Sequence, residues 1–335
     1  MIKPIDFVVT WVDSSDIEWQ KSKNETLNKI NGTHEKFDYE KNRYRDIECF
    51  KYWFRCVEKN APWVRKIFVV TNGQKPEWLN TKNEKIVLIK HSDYIEQEFL
   101  PTFNSNAIEA KLHLIPGLSE QFVYFNDDMF LINKTKPSDF FKNGLPCDSM
   151  SFHPIEPIAE DRRFYLKICN DLEIINSNFD FSKFKKENKS KIYSYRQGSH
   201  IIISIILSKL NSFRGFYNYH VPVPYLKKTF ADVWNVAEDK LKKTMSFRFR
   251  NNSESINHWV FQYWQFATGK FNQRKSKFSK YVTMDDKNVE KIILSKKYKT
   301  ICINDVCLNE NFELYKKKMI NAFEKKYSNK SSFEK

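Results

Sequence analysis

Residues Ile5 to Asp16 read IDFVVTWVDSSD, a run that is apolar and β-branched but for Asp6 and stops abruptly in acids and hydroxyls. A run with no polar alternation suits a strand buried on both faces, as in a parallel sheet covered by helices. Three similar runs follow within the first 131 residues: Lys66–Thr71 (KIFVVT), Lys85–Lys90 (KIVLIK) and Gln121–Asn126 (QFVYFN). Between the first two, Asn42–Glu58 places Ile47, Phe50, Phe54 and Val57 on one helical face. A second helix is predicted over Ser105–Leu114, with Ser105 as N-cap, Ile108 and Leu112 inward and Gly117 ending the turn. Strands alternating with helices predict an α/β fold, its sheet mainly parallel and flanked by helices.

Ligands bind such sheets at the carboxyl ends of the strands, and here those ends carry the reactive side chains. Asp13-Ser14-Ser15-Asp16 follows the first run, Thr71-Asn72 the second, His91-Ser92-Asp93 the third and Asn126-Asp127-Asp128 the fourth. One acidic strand end would be a turn or a cap; this many polar ends point to a site. The adjacent carboxylates of Asp127 and Asp128 can ligate Mg2+ (or Mn2+) and so neutralise the oxygens of a nucleotide diphosphate. Alone, they would equally suit a solvated turn. Of Asp13 and Asp16, one can fix a ribose or a metal-bound water while the other caps the next helix.

Further along, His220 lies in Tyr219-His220-Val221-Pro222-Val223-Pro224, an extended segment stiffened by prolines. A neutral imidazole there can take a proton from a hydroxyl nucleophile, although a lone histidine is often structural. Arg248 and Arg250 alternate with Phe247 and Phe249; a guanidinium suits bidentate phosphate binding, and a solvated basic face is the other reading. Ile301–Asp305 (ICIND) repeats the theme of an apolar run ending in Asn-Asp, which is also turn chemistry.

The weakly patterned region from about 155 to 215 holds a Lys/Asn-rich patch (Phe181–Lys191) and an apolar helix at His200–Leu210, and reads as an inserted helical lobe. Lys228–Trp264 is mostly helical, with a Trp259/Tyr263/Phe266 stripe suited to core packing. Residues 270–335 hold 17 basic and 8 acidic residues and so supply +9 of the chain's net +15. A single catalytic domain is expected over 1–310, followed by a basic helix or tail at 311–335.

Composition excludes several classes. The 335 residues include only 7 glycines, and no two lie closer than seventeen residues. P-loops and dinucleotide-binding turns need two or three glycines within about six residues, so any phosphate must be held by side chains and a metal. No stretch approaches the ~20 apolar residues of a membrane span. The six cysteines show no C-x-x-C spacing and are expected to be free, buried thiols in a reducing cytoplasm. A net +15 with 16% aromatic residues invites a nucleic-acid reading, but acids at the cleft would repel a phosphate backbone, so no nucleic acid is expected. A basic C-terminal region pressed against anionic lipid is the other use of that charge.

Taken in order, these segments resemble the Stealth proteins, bacterial capsular polysaccharide phosphotransferases related to the animal N-acetylglucosamine-1-phosphotransferase. The similarity runs through Ile5–Asp16, with Ser14 where glycine is more usual, and through Arg43–Leu131. The latter includes RYRDIECFKYWFRCVEKNAPWVRKIFVVTNGQKPEWLN, HSDYI and LPTFNSNAIEAKLHLIPGLSEQFVYFNDDMFL. It continues through His220–Trp264 and Ile301–Asp305. The resemblance implies a GT-A-like fold and transfer of a hexose- or N-acetylhexosamine-1-phosphate from a UDP-sugar donor to a polysaccharide or lipid-linked glycan hydroxyl, releasing UMP. The alternative is an ordinary glycosyltransferase that releases UDP. By position, His220 matches the family's base and Arg250 its phosphate-binding arginine, with Asp13 beside them. Asp127 and Asp128 are expected at the metal. Thr10, Trp11, Asp16, Arg45, Asn104, Ser105, Arg248, Asn304 and Asp305 are expected at the substrates. The poorly matching lobe is where acceptor specificity is expected. The expected setting is a bacterial cytoplasm, or the inner face of its membrane.

Overall fold

In the computed structural model, β1 (Ile5–Thr10) sends Val8 to one layer and Ile5, Phe7 and Val9 to the other. That two-sided burial is what its largely apolar run requires, and Asp6, the one acid within it, is buried and bonded to Arg65 at 2.8 Å. The structure describes residues 3–30, 44–156, 162–251, 253–306 and 309–335; Asn42, Arg43 and Cys307, named above, lie outside the described residues. β2 (Ile67–Thr71) and β4 (Gln121–Asn126) pair parallel to β1, and β3 (Ile86–Lys90) pairs parallel to β2. The register sets Thr10 beside both Val70 and Asn126, so the polar strand ends align along one edge.

After β1 the chain forms α1 (Ile17–Ile30) and α2 (Phe50–Asn60); after β3 it forms α3 (Ser105–Ala110). β5 (Met129–Leu131), β6 (Phe141–Lys142) and β7 (Leu145–Asp148) follow β4. The lobe comes next, with α4 (Arg162–Asn178), α5 (Phe181–Glu187), α6 (Lys189–Ile192) and α7 (Ile201–Leu207). β8 (Val223–Leu226) then closes the sheet in the order β3-β2-β1-β4-β8, running antiparallel to β4. Beyond it lie α8 (Lys227–Ser246), α9 (Trp259–Ala267), β9 (Asn272–Gln273), β10 (Ser279–Thr283), α10 (Val289–Leu294), β11 (Thr300–Asn304) and α11 (Phe312–Lys326). β10, β11 and β5 form a small second sheet, and β6, β7 and β9 a third.

One face of the main sheet packs on α4, α8 and α9, and the other on α2, α10 and α11. Trp259, Tyr263 and Phe266 sit in the first core, as their spacing suggests. In the second, α11 buries Phe312, Met319, Ala322 and Phe323. Arg55 of α2 forks onto the Glu334 carboxylate at 2.9 and 2.8 Å. The basic end of the chain is therefore fastened to α2 and β5 rather than trailing from them.

Three sequence expectations change. The helix expected from Asn42 begins at Phe50, because Glu48 takes a left-handed φ of 58° and its amide is held by the Asp46 carboxylate at 2.7 Å. The helix expected over Ser105–Leu114 is α-helical only to Ala110, and then tightens into a 3-10 turn at Leu112–Leu114. Its cap is Asn104, whose side chain accepts from the Asn106 amide, because the Ser105 hydroxyl is already taken by Arg250. The segment expected to be extended around His220 breaks there, with φ 47° at His220, and becomes a strand only from Val223. Of the described cysteines, Cys49, Cys56, Cys147 and Cys302 are buried free thiols and Cys169 is exposed.

Asp171 in α4 is buried, with one carboxylate oxygen holding the Asn257 amide at 3.2 Å and the other without a partner. Burial pushes its pKa well above the usual carboxylate range. The folded state therefore binds the proton more tightly than the unfolded chain, so this group erodes stability as pH rises above about 4. Asp171→Asn should stabilise the fold at pH 7 by on the order of 1–3 kcal/mol. The gap in melting temperature should close as the pH is lowered towards 4; a gap independent of pH would contradict this.

Candidate active site

The aligned strand ends floor a large cleft of about 1340 Å3. Thr10, Trp11, Asn72, His91, Asn126, Asp127 and Asp128 line it from the sheet edge. Ser105 and Glu109 enter from α3, His220 from the approach to β8, and Arg250 from the segment before α9. Asn304 and Asp305 close it from the end of β11, while His153, Lys167 and Tyr217 reach in from the lobe side.

Asp127 and Asp128 occupy the turn between β4 and β5, where Ile303 of β11 donates its amide to the Asp128 carbonyl at 3.0 Å. Withdrawal from water, together with the neighbouring Asp128, raises the Asp127 pKa to about 8; burial also raises that of Asp128. One Asp128 oxygen is buried without a partner, and the other faces the Cys302 thiol at 3.3 Å. Ligand atoms of Asp128, His220 and Cys302 all lie within 4.8 Å of one another. Within that group the Asp128 carboxylate, with its free buried oxygen, is the ligand that suits a hard divalent cation; the Asp127 carboxylate is not among the three ligand atoms brought together there.

His220 packs edge-on against Trp259 and Tyr281, each with ring centroids 5.9 Å away. Burial lowers its pKa, opposed by the Asp128 carboxylate and reinforced by Arg250, so the ring is neutral at pH 7. A non-glycine residue held at φ 47° is strained, and such strain clusters at working sites. Arg250 donates through Nε and Nη2 to Ser105 Oγ, at 3.1 and 2.7 Å. It is aimed by its chain: Phe249 stacks on Phe103 at 5.2 Å, and the Phe103 amide bonds the Arg248 carbonyl at 2.8 Å.

The other residues singled out in the sequence divide into two groups. Thr10 faces the cleft and shares a 3.2 Å hydrogen bond with Tyr124. Trp11 stacks on Phe50 at the rim. Arg45 grips Asp305 through two 2.7 Å bonds, so this guanidinium anchors one wall to the end of β11. Asn304 donates to the Tyr281 hydroxyl at 2.8 Å. Four others lie off the cleft wall. Asp16 caps α1 through the Trp19 amide, at 2.8 Å. Asp13 accepts from the Ser15 amide and hydroxyl. Asn104 caps α3 and ties the Thr244 and Phe247 carbonyls, and Arg248 turns away to the Glu98 carbonyl.

Glu109 escaped sequence reading. Its carboxyl is buried, accepts from Tyr124 at 3.0 Å, and has its pKa raised by burial to about 7 against the opposing pull of Arg250. The signal was present: Ser105 and Glu109 are four apart, on one face of α3. Tyr124 lies in an apolar run and so reads as core, while Tyr281, in Ser279–Thr283, carries no local signal. His258, which bonds Tyr225 at 2.9 Å and has its pKa lowered to about 3 by burial, also lines the cleft.

A mainly parallel sheet whose carboxyl edge gathers acids, an arginine and a neutral histidine into one cleft defines an α/β protein with its candidate active site at the strand ends. Residues 3–30 match the profile of Stealth protein CR1, conserved region 1, and residues 43–148 that of Stealth protein CR2, conserved region 2. The capsular polysaccharide phosphotransferase WcwK of Streptococcus pneumoniae is 43% identical, over 100% of this chain and 99% of its own. The receptor polysaccharide phosphotransferase WefC of Streptococcus oralis is 39% identical over 98% and 99% of the two chains. The exopolysaccharide phosphotransferase cps2G of Lactiplantibacillus plantarum is 37% identical over 99% and 96%. The chain belongs to the Stealth family of polysaccharide phosphotransferases. Among solved structures, galactosyltransferase LgtC in complex with donor and acceptor sugar analogs is similar over 94% of this chain at 10% identity, with a TM-score of 0.38.

Proposed function

We propose that this protein transfers a hexose- or N-acetylhexosamine-1-phosphate from a UDP-sugar to a hydroxyl of a polysaccharide or lipid-linked glycan, building a phosphodiester-linked capsule or cell-surface polymer. The observation that carries the reading is the convergence of His220, Arg250 and the Asp127-Asp128 pair on one cleft at the carboxyl edge of the sheet. The acceptor oxygen forms a bond to the phosphorus bearing the sugar, and its proton passes to the neutral His220. The bond from that phosphorus to the bridging oxygen breaks, and UMP departs.

Transfer at phosphorus is mostly positioning and charge neutralisation. Arg250, already aimed by Ser105, meets the phosphoryl oxygens with a planar donor pair. Asp127 and Asp128 would hold Mg2+ or Mn2+, which supplies the remaining positive charge at the diphosphate. Glu109 and Tyr124 keep Thr10, Asn126 and Arg250 in register through hydrogen bonds and charge. Candidate UDP-sugars incubated with Mg2+ and a glycan acceptor should release UMP. Release of UDP instead would mean attack at the anomeric carbon, and would replace this reading with ordinary glycosyl transfer.

A further inference from the structure

In α7 the fully buried residue is a serine, while isoleucines stand in solvent and Leu207 alone packs against the core. The helix sequence is IIISIIL, and the residue facing inward is Ser204, which accepts the Phe152 amide at 2.8 Å and donates to Gln197 at 2.5 Å. Ser208, just past its end, is buried as well. Ile202 and Ile206 are 64% and 59% exposed, and Ile205 and Leu210 are also exposed. The turn leading into α7 exposes Tyr193 and Tyr195, the latter at 75%. Clustered exposed apolar side chains on a single lobe mark an interaction surface.

The charge around this face is of one sign. Residues 181–214 contain eight Lys or Arg and a single acid, Glu187. Lys189, Arg196, Lys209 and Arg214 are exposed, and the Lys185 ammonium reaches the Leu210 carbonyl at 2.8 Å, three residues beyond the helix. Aliphatic tips, flanking tyrosines and a basic surround are the combination that suits the interface of an anionic bilayer. The mode is lying on a membrane rather than crossing it: no helix of the described residues is long and apolar enough to span one. The face also adjoins the cleft. His200, at the start of α7, packs its ring 4.1 Å from that of Tyr217, and Tyr217 lines the cleft wall.

We propose that the outer face of α7, with the tyrosines and lysines around it, docks this protein on an anionic lipid surface and so brings the cleft to a lipid-linked acceptor. The inference rests on the proposed reading of the acceptor, but places the membrane contact on the lobe and not on the basic C-terminal region, whose α11 is built into the core.

Co-sedimentation of the full chain with phosphatidylcholine vesicles, with and without phosphatidylglycerol, tests it. Wild-type protein should pellet with the anionic vesicles and remain monomeric. Ile202→Asp/Ile206→Asp should weaken binding at least tenfold, and Arg196→Glu/Lys209→Glu likewise, with melting temperatures checked for each. Lys317→Glu/Lys318→Glu on α11 should bind as wild type does. No binding to anionic vesicles, or loss only in the α11 variant, would overturn the proposal. So would a wild-type dimer that Ile206→Asp dissociates, since a second copy would then cover the face. Should the isoleucine variant fail to fold, the charge reversals decide alone. UMP release in a soluble assay separates the two ideas: lost docking with UMP release intact removes only the membrane contact, whereas UDP in its place removes the reaction.

Discussion

Replacing His220 with alanine is expected to reduce transfer by roughly 10²–10⁴-fold, the usual contribution of a positioned general base, while the UDP-sugar binds almost as before. The asymmetry follows from where the ring sits. It stands against Trp259 and Tyr281 and near Asp128, whereas in the proposed reading the nucleotide is held by the strand ends, Arg250 and the acid pair that line the same cleft. Burial keeps the ring neutral, ready to accept a proton. Titrating donor binding calorimetrically beside a turnover assay separates the two quantities. Near-normal turnover in His220→Ala would remove it from the mechanism.

The second large effect concerns the acid pair. Asp127→Asn should reduce transfer by about 10²–10³-fold, comparable with removing one preorganised charge-stabilising group, and a chelator should reduce the wild type similarly. Mn2+ binding followed by electron paramagnetic resonance should weaken in the same variant, which reports on the carboxylate without any turnover. A variant that binds Mn2+ as wild type does, or activity indifferent to chelation, would refute a metal role for Asp127. The pair tolerates its own crowding poorly: with the Asp127 pKa at about 8, one carboxylate is protonated near neutrality unless a cation replaces the proton.

The main sheet was legible in the sequence because its strands are buried on both faces and end abruptly in polar residues. IDFVVT and QFVYFN leave little choice of structure, and their parallel register then brings Thr10 and Asn126 side by side. Five other residues needed tertiary information. Asp16 and Asn104 are polar residues next to helix starts, and sequence alone does not divide capping from ligand binding; here their oxygens are spent on the Trp19 and Asn106 amides. Arg45 and Asp305 are 260 positions apart, and their mutual grip has no local signature. Glu109 reads as the solvated face of a short helix until Tyr124 and Arg250 are seen to enclose it.

The left-handed backbone of His220 has an evolutionary consequence. A side chain at that φ costs on the order of 1 kcal/mol or more relative to glycine, so the fold would gain stability by losing the residue that the proposed reaction needs. Directed evolution for heat resistance alone would drift towards glycine or asparagine at position 220 and yield sturdier but inert protein. Retention of histidine there would have to be enforced by selecting for polymer made, not for protein that survives.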